Sequence, residues 1–279
     1  MVIAVGAHID LFSTTFKYGI ISREARLIHH SPVATDIGVV FPVAQAIAGS
    51  TLSFIEGLAE RLRRLGRKWE WAEVAKLRRE WDTERGRLLD HAARPVLPPV
   101  VAHAMREALP PEGIMVVDAG NAGKHMRTFM DTYQPNTFMY ISDWGSVGAG
   151  LPIAMGVKLA RPGQPVMAAV GDMGMMCNIG ELETAVRERI PVVCVVFNDQ
   201  GLGNERAFQK ELYGGRIFGV DYGDVDFAAL ARVFGAYGER VGEPSGVLPA
   251  IKRALDSGLP AVVDVVIDQN TLAAVVFRK

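Results

Sequence analysis

Residues 170–203 read VGDMGMMCNIGELETAVRERIPVVCVVFNDQGLG, and this stretch decides the fold. The apolar run 166–170 ends at Gly171-Asp172. A helical stretch follows, with Glu181, Glu183, Arg187 and Arg189 among its polar positions. Pro191 then precedes a second apolar run, 192–197, which ends at Asn198-Asp199. Two short apolar runs separated by one helix are the pattern of a βαβ unit with two parallel, buried strands. Such a unit brings both strand C-terminal ends to one edge of the sheet, where ligands bind in open α/β sheets.

The chemistry at the two ends is complementary. Asp172 and Asp199 are hard oxygen donors 27 residues apart in the chain. Gly201 can add a backbone carbonyl at a tight turn. A few protein oxygens completed by a phosphate-bearing partner is how Mg²⁺ is usually held. Each acid also has a local reading, Asp172 as the N-cap of the following helix and Asp199 as a turn residue. The second acid at the end of the next strand favours the shared site.

Length and composition bound the answer. The chain has 279 residues, 49% hydrophobic and 22% charged, which fits a globular protein of one large or two ordinary domains. A formal charge of −1 gives no broad field for nucleic acid or an acidic membrane. The two cysteines, Cys177 and Cys194, do not make a disulfide scaffold, and Cys194 in its apolar run reads as a small buried hydrophobe. The start, MVIAVGAHIDLF, has no basic leader and meets a charge at Asp10, so it reads as neither signal peptide nor membrane span. A cytoplasmic protein is expected.

In order, residues 1–62 read as a partial α/β layer. It has strands at 2–5 and 26–29 and a helix at 53–62, with Leu58, Ala59 and Leu62 on one face. His29 and His30 fall at a strand end and loop. Residues 63–98 interleave Arg with Glu70, Glu73, Glu80, Asp82 and Glu84 around Trp69, Trp71 and Trp81. That is the pattern of a solvated, salt-bridged connecting helix, followed by a Pro-rich linker at Pro95, Pro98 and Pro99. Residues 99–279 form one α/β domain. Helices are expected at 100–109, after the turn at 142–152, at 227–234 and at 244–255; strands at 114–117, 138–141, 237–241 and 261–267 join the two of the opening stretch. The alternation predicts a doubly wound parallel sheet with helices on both faces. The Gly-rich turn 142–152 allows close approach of a ligand, but no GxGxxG with a following acid marks a nicotinamide site.

The opening stretch resembles the thiamine-diphosphate signature, Gly-Asp-Gly followed at a fixed interval by Asn-Asn. Asp172 matches the signature Asp, Asp199 the second Asn, and Gly201 the residue that gives its carbonyl to the metal. Gly156, Pro162 and Met167 fall on the family's spacing upstream. Met173 replaces the small third residue of the signature, beside Gly171 and Gly174, and Ala169 replaces a larger apolar one. The segment from Asp118 to Ala122 resembles the family's Asp-x-Gly-(Gln/Asn)-His, with Asn121 kept and Ala122 in place of the frequent His. Val147 falls where the family sets an apolar wedge under the bent cofactor, and Gly145 where a carbonyl accepts from the cofactor's amino group.

After Asp199, residues Gln200, Leu202, Gly203, Arg206, Gln209 and Tyr213 resemble acetolactate synthase most, with Asn204 for Met and Phe208 for Trp at positions that shape substrate entry. Residues 1–62 are similar to the second half of the family's central domain. The resemblance implies thiamine diphosphate and Mg²⁺ as cofactors and decarboxylation or carboligation of 2-oxo acids. It implies a homo-oligomer, and a pyrimidine-binding domain, from another chain or a missing segment, that supplies an activating glutamate. A non-catalytic cofactor-binding fragment or scaffold is the alternative, and a different nucleotide-binding α/β enzyme is a third reading.

Overall fold

The computed structural model describes residues 1–9, 19–66, 71–141 and 145–273. Asp10, Trp69 and Glu70, and residues 142–144 of the Gly-rich turn, lie outside the described residues. The chain divides into two compact units, one holding Met1–Lys76 and the other Leu77–Ala274.

The first unit carries strands β1 (Val2–Val5), β2 (Leu27–Ser31) and β3 (Gln45–Ala48), paired in parallel in the order β1-β2-β3. Helix α1 (Thr51–Arg64) follows, capped by Ser50, whose side chain accepts from the Ser53 N–H. The second strand starts one residue later than expected and runs on to Ser31, so His29 and His30 are buried inside a strand rather than at its end and loop. The imidazole of His30 stacks on Phe54 with ring centroids 4.6 Å apart. Strand β3 was not expected, because its sequence, QAIA, offers one half-buried apolar residue and no alternation to read.

Helix α2 (Ala72–Gly86) is solvated, as its charge pattern implies. Arg78 and Arg85 both pair with Asp82 and reach Asp131, and Arg87 pairs with Glu84.

The second unit alternates strands and helices in chain order. They are α3 (Pro98–Ala108), β4 (Ile114–Val117), α4 (Asn121–Phe129), β5 (Phe138–Tyr140), α5 (Gly150–Ala160), β6 (Val166–Gly171), α6 (Asp172–Asn178), α7 (Glu181–Arg187) and β7 (Val193–Asn198). The chain continues with α8 (Gly203–Leu212), α9 (Phe227–Val233), β8 (Tyr237–Val241), α10 (Pro244–Asp256) and β9 (Ala261–Val266). All six strands pair in parallel, in the order β5-β4-β6-β7-β9-β8.

Alternate side chains of each strand enter different cores. Met115, Val117, Met167, Ala169, Val193, Val195 and Val263 pack with α3, α4 and α10 on one face. Val116, Val166, Ala168, Cys194, Val196 and Val262 pack with α5, α7 and α9 on the other. A sheet covered on both faces needs apolar residues at every position, which is why these strands appear as continuous apolar runs. Burial pushes the Cys194 thiol up to about 12, in keeping with a core residue.

Two local expectations change. The stretch after Asp172 is two helices, not one. At their junction Leu182 and Glu183 donate to the carbonyls of Ile179 and Gly180, three residues back, and these tighter bonds interrupt the α-helical ladder. Helix α8, which follows the Asp199 turn, carries polar residues through most of its length and was not expected from its pattern.

Candidate functional site

The strand order reverses between β4 and β6: from β4 the chain crosses to β5 on one side and then to β6 on the other. A crevice opens at such a point, outside the carboxyl ends of the strands. The structure holds a cavity of about 360 Å³ there, lined by the ends of β4, β6 and β7. Asn121, Ala122, Gly145, Val147, Gly171, Asp172, Met173, Gly174, Asp199 and Gly201 all line it, so the fold brings every candidate site residue to one place. Cys177, Asn204 and Glu205 complete part of the wall.

The two acids are held tightly. Asp172 is 2% exposed and accepts from the Met173 N–H at 2.8 Å and the Gly201 N–H at 3.1 Å. Asp199 is 6% exposed and pairs with Arg206. Burial raises both carboxyls above the usual range. Proximity to Asp172 raises Asp199 further, and Arg206 opposes that rise. Among the described residues no group of three or more His, Cys, Asp and Glu side chains is placed to hold a metal. A cation here would therefore take two carboxylates, a backbone carbonyl and oxygens from its own ligand, the sparse set that suits Mg²⁺ on a phosphate.

The rest of the donor set fits an anion beside that cation. Helices α4 and α8 begin at the cavity, with Asn121 and Gly203 as their first residues. Helix N-termini present free N–H groups and positive partial charge. Two buried carboxylates partly offset by one guanidinium leave room for a divalent charge. These residues fit a diphosphate with its metal ion.

The loop carrying Gly145 and Val147 is pinned by Asp118, the first residue of the Asp118–Ala122 segment, and by Asn178, which the sequence did not single out. Asp118, fully buried and raised by burial, accepts from the Gly148 N–H at 2.9 Å. The Asn178 side chain donates to the Gly148 carbonyl at 2.8 Å. Gly148 has φ +95°, and a Cβ there would sit 2.6 Å from the Cys177 Cβ, so only glycine serves. Lys124 also escaped notice; its Nζ donates to Asn204 Oδ1 at 2.7 Å and lies 5.4 Å from the Phe208 ring centre. Asn178 and Lys124 carry no motif, and only tertiary contact shows them.

Residues 118–265 match the family described as the thiamine pyrophosphate enzyme, C-terminal TPP binding domain. The chain belongs to this thiamine pyrophosphate enzyme family. It is 27% identical over 265 residues to an acetolactate synthase of Bacillus subtilis, covering 91% of this chain and 45% of the relative. It is 31% identical over 243 residues to an acetolactate synthase large subunit of Mycobacterium tuberculosis, covering 87% of this chain and 42% of the relative. Among solved structures, the thiamine diphosphate-dependent 4-hydroxybenzoylformate decarboxylase of Rhodococcus jostii RHA1 superposes with a TM-score of 0.73 at 25% identity, over 88% of this chain and 45% of that one. The chain thus spans about half the length of the curated relatives it matches. Among the described residues no helix is long and apolar enough to cross a membrane.

Proposed function

We propose that this chain is the diphosphate-binding part of an acetolactate-synthase-like enzyme that decarboxylates or joins 2-oxo acids with thiamine diphosphate and Mg²⁺. The observation that carries the reading is the cavity at the β4/β6 switch point, where two buried acids meet two helix N-termini. Bound thiamine diphosphate supplies the electron sink that a 2-oxo acid needs to lose CO₂. Asp172, Asp199 and the Gly201 carbonyl would hold the metal. Asn121, Gly171 and Gly174 line the cavity and would face the diphosphate, Val147 would pack against the cofactor, and the Gly145 carbonyl would accept from its amino group. The polypeptide's contribution is orientation and electrostatics.

The same reading calls for a pyrimidine-binding domain, from another chain or a segment outside these residues, and for a homo-oligomer that joins the two. The free thiols of Cys177 and Cys194 suit a cytoplasmic setting. A binding-only role is the second reading. Met173 favours it, since a long side chain lines the cavity where the resembled signature has a small residue. So does Ala122, which gives no side-chain donor.

The test is CO₂ release from pyruvate and from aromatic 2-oxo acids, with the chain mixed with a separately produced pyrimidine-binding domain of an acetolactate synthase. Turnover that requires both polypeptides, thiamine diphosphate and Mg²⁺ is expected. Cofactor binding without turnover of any of these acids would favour the binding-only role.

A further inference from the structure

Asp199 stands where the resembled signature has an uncharged amide, so a second buried acid faces Asp172 and needs both a counter-charge and a fixed orientation. We propose that Arg206, clasped to Asp221, is the positioning residue that sets the Asp199 carboxylate and the Gly201 carbonyl for a divalent cation. The inference rests on the cofactor reading above.

Arg206 lies in the first turn of α8 and is 6% exposed. One guanidinium nitrogen, Nη1, donates to Asp199 Oδ2 at 3.2 Å, and Nη2 donates to Asp221 Oδ1 at 2.5 Å. Arg206 thus bridges an inner acid on the cavity wall and an outer acid whose side chain is 65% exposed. The backbone closes around this bridge. Leu202 donates to the Val220 carbonyl at 2.7 Å, Tyr222 donates to the Gln200 carbonyl at 3.1 Å, and Gly201 pairs with Asp221 in antiparallel register. The Tyr222 hydroxyl donates to the Gly201 carbonyl at 3.4 Å.

Two glycines show that the space is committed to this arrangement. A Cβ on Gly201 would lie 2.2 Å from Arg206 Nη2 and 2.5 Å from the Val220 carbonyl oxygen. A Cβ on Gly203 would lie 2.2 Å from Asp199 Oδ2. The turn therefore has room for the guanidinium and the carboxylate only because both positions lack side chains. A planar two-pronged donor anchored on a second acid fixes the rotation of the first. Ligating carboxylates are commonly oriented this way by hydrogen-bonding neighbours, whose loss costs about 10- to 100-fold in metal affinity.

Charge counting alone predicts the opposite sign, since removing a cation beside the site should draw a divalent ion more strongly. That difference makes the test. Mn²⁺ binding in the presence of saturating thiamine diphosphate would be measured by electron paramagnetic resonance on the full chain and its variants Arg206→Met, Arg206→Lys, Asp221→Asn, Asp199→Asn and Asp199→Asn/Arg206→Met. Arg206→Met and Arg206→Lys should each weaken Mn²⁺ about 10-fold or more, because lysine keeps the charge but cannot bridge two acids. Asp221→Asn, at an exposed side chain that leaves folding intact, should weaken it about 3-fold or more. In the Asp199→Asn background, adding Arg206→Met should cost less than about 3-fold, since no carboxylate remains to be oriented.

Unchanged or tighter binding in Arg206→Met, or equal losses in both backgrounds, would overturn the inference while leaving the cofactor reading intact. If the Arg206 variants do not fold, unchanged affinity in Asp221→Asn overturns it alone. No Mn²⁺ binding by the unsubstituted chain would overturn the cofactor reading, and the inference with it.

Discussion

The chain contains two parallel sheets that bury their strands to different depths. In the second unit, β7 is buried at all of its positions. In the first, β1 and β3 are exposed or half-buried at all of their positions, and only β2 lies deep. Parallel strands gain from burial only where both faces are covered. The covered sheet also carries the cavity, because rigid strand ends hold its loops in place. The deeper-covered sheet is the one whose strand ends gather the candidate site residues.

The largest test of the contrast is truncation of a covered side chain. Phe227, fully buried at the start of α9, should cost about 3–5 kcal/mol when changed to alanine. Denaturant unfolding followed by circular dichroism measures it. A cost under 1 kcal/mol would mean that this face is not close-packed.

Gly203→Ala comes next. Its methyl would press on Asp199, and overpacking of this kind costs about 1–3 kcal/mol. Thermal unfolding without metal reads that cost, and an unchanged melting temperature would show that the turn can open.

A pH effect of similar or smaller size separates the units further. Asp264 in β9 is fully buried and its carboxyl is pushed up to about 6, chiefly by burial; the Asn198 side chain and Arg240 hold it partly back. The folded state therefore holds this proton more tightly than the unfolded chain does. The ionised carboxylate costs stability above about pH 6, and that cost fades as pH falls toward 4. Relative to Asp264→Asn, the unsubstituted chain should gain roughly 2 kcal/mol between pH 7.5 and pH 4.5. A constant difference across that range would contradict the assignment.

The smallest effect is expected in the other sheet. Ile3 in β1 is 39% exposed, and Ile3→Ala should change stability by less than about 1 kcal/mol. A loss equal to that of Phe227→Ala would erase the contrast.

The same difference in cover explains what could be read from residues alone. The strands at 114–117, 166–171, 193–198 and 261–266 were legible because two covered faces demand unbroken apolar runs. Asp172 and Asp199 were legible because each ends such a run. β3 was not, since a sparsely buried strand has no pattern. Neither was α8, whose inward residues include a buried Arg206 rather than an apolar stripe. The Arg206–Asp221 clasp and the Asp118–Gly148–Asn178 bonds join residues far apart in the chain, and they become visible only once the backbone is folded.

The central claim is that residues 170–203 build a metal-dependent diphosphate site. Its most direct test is calorimetric titration of the full chain with thiamine diphosphate, with Mg²⁺ and with chelator, beside Asp172→Ala. Binding that requires Mg²⁺ and is lost in Asp172→Ala is the predicted result. Binding of equal strength with chelator, or in Asp172→Ala, would contradict it.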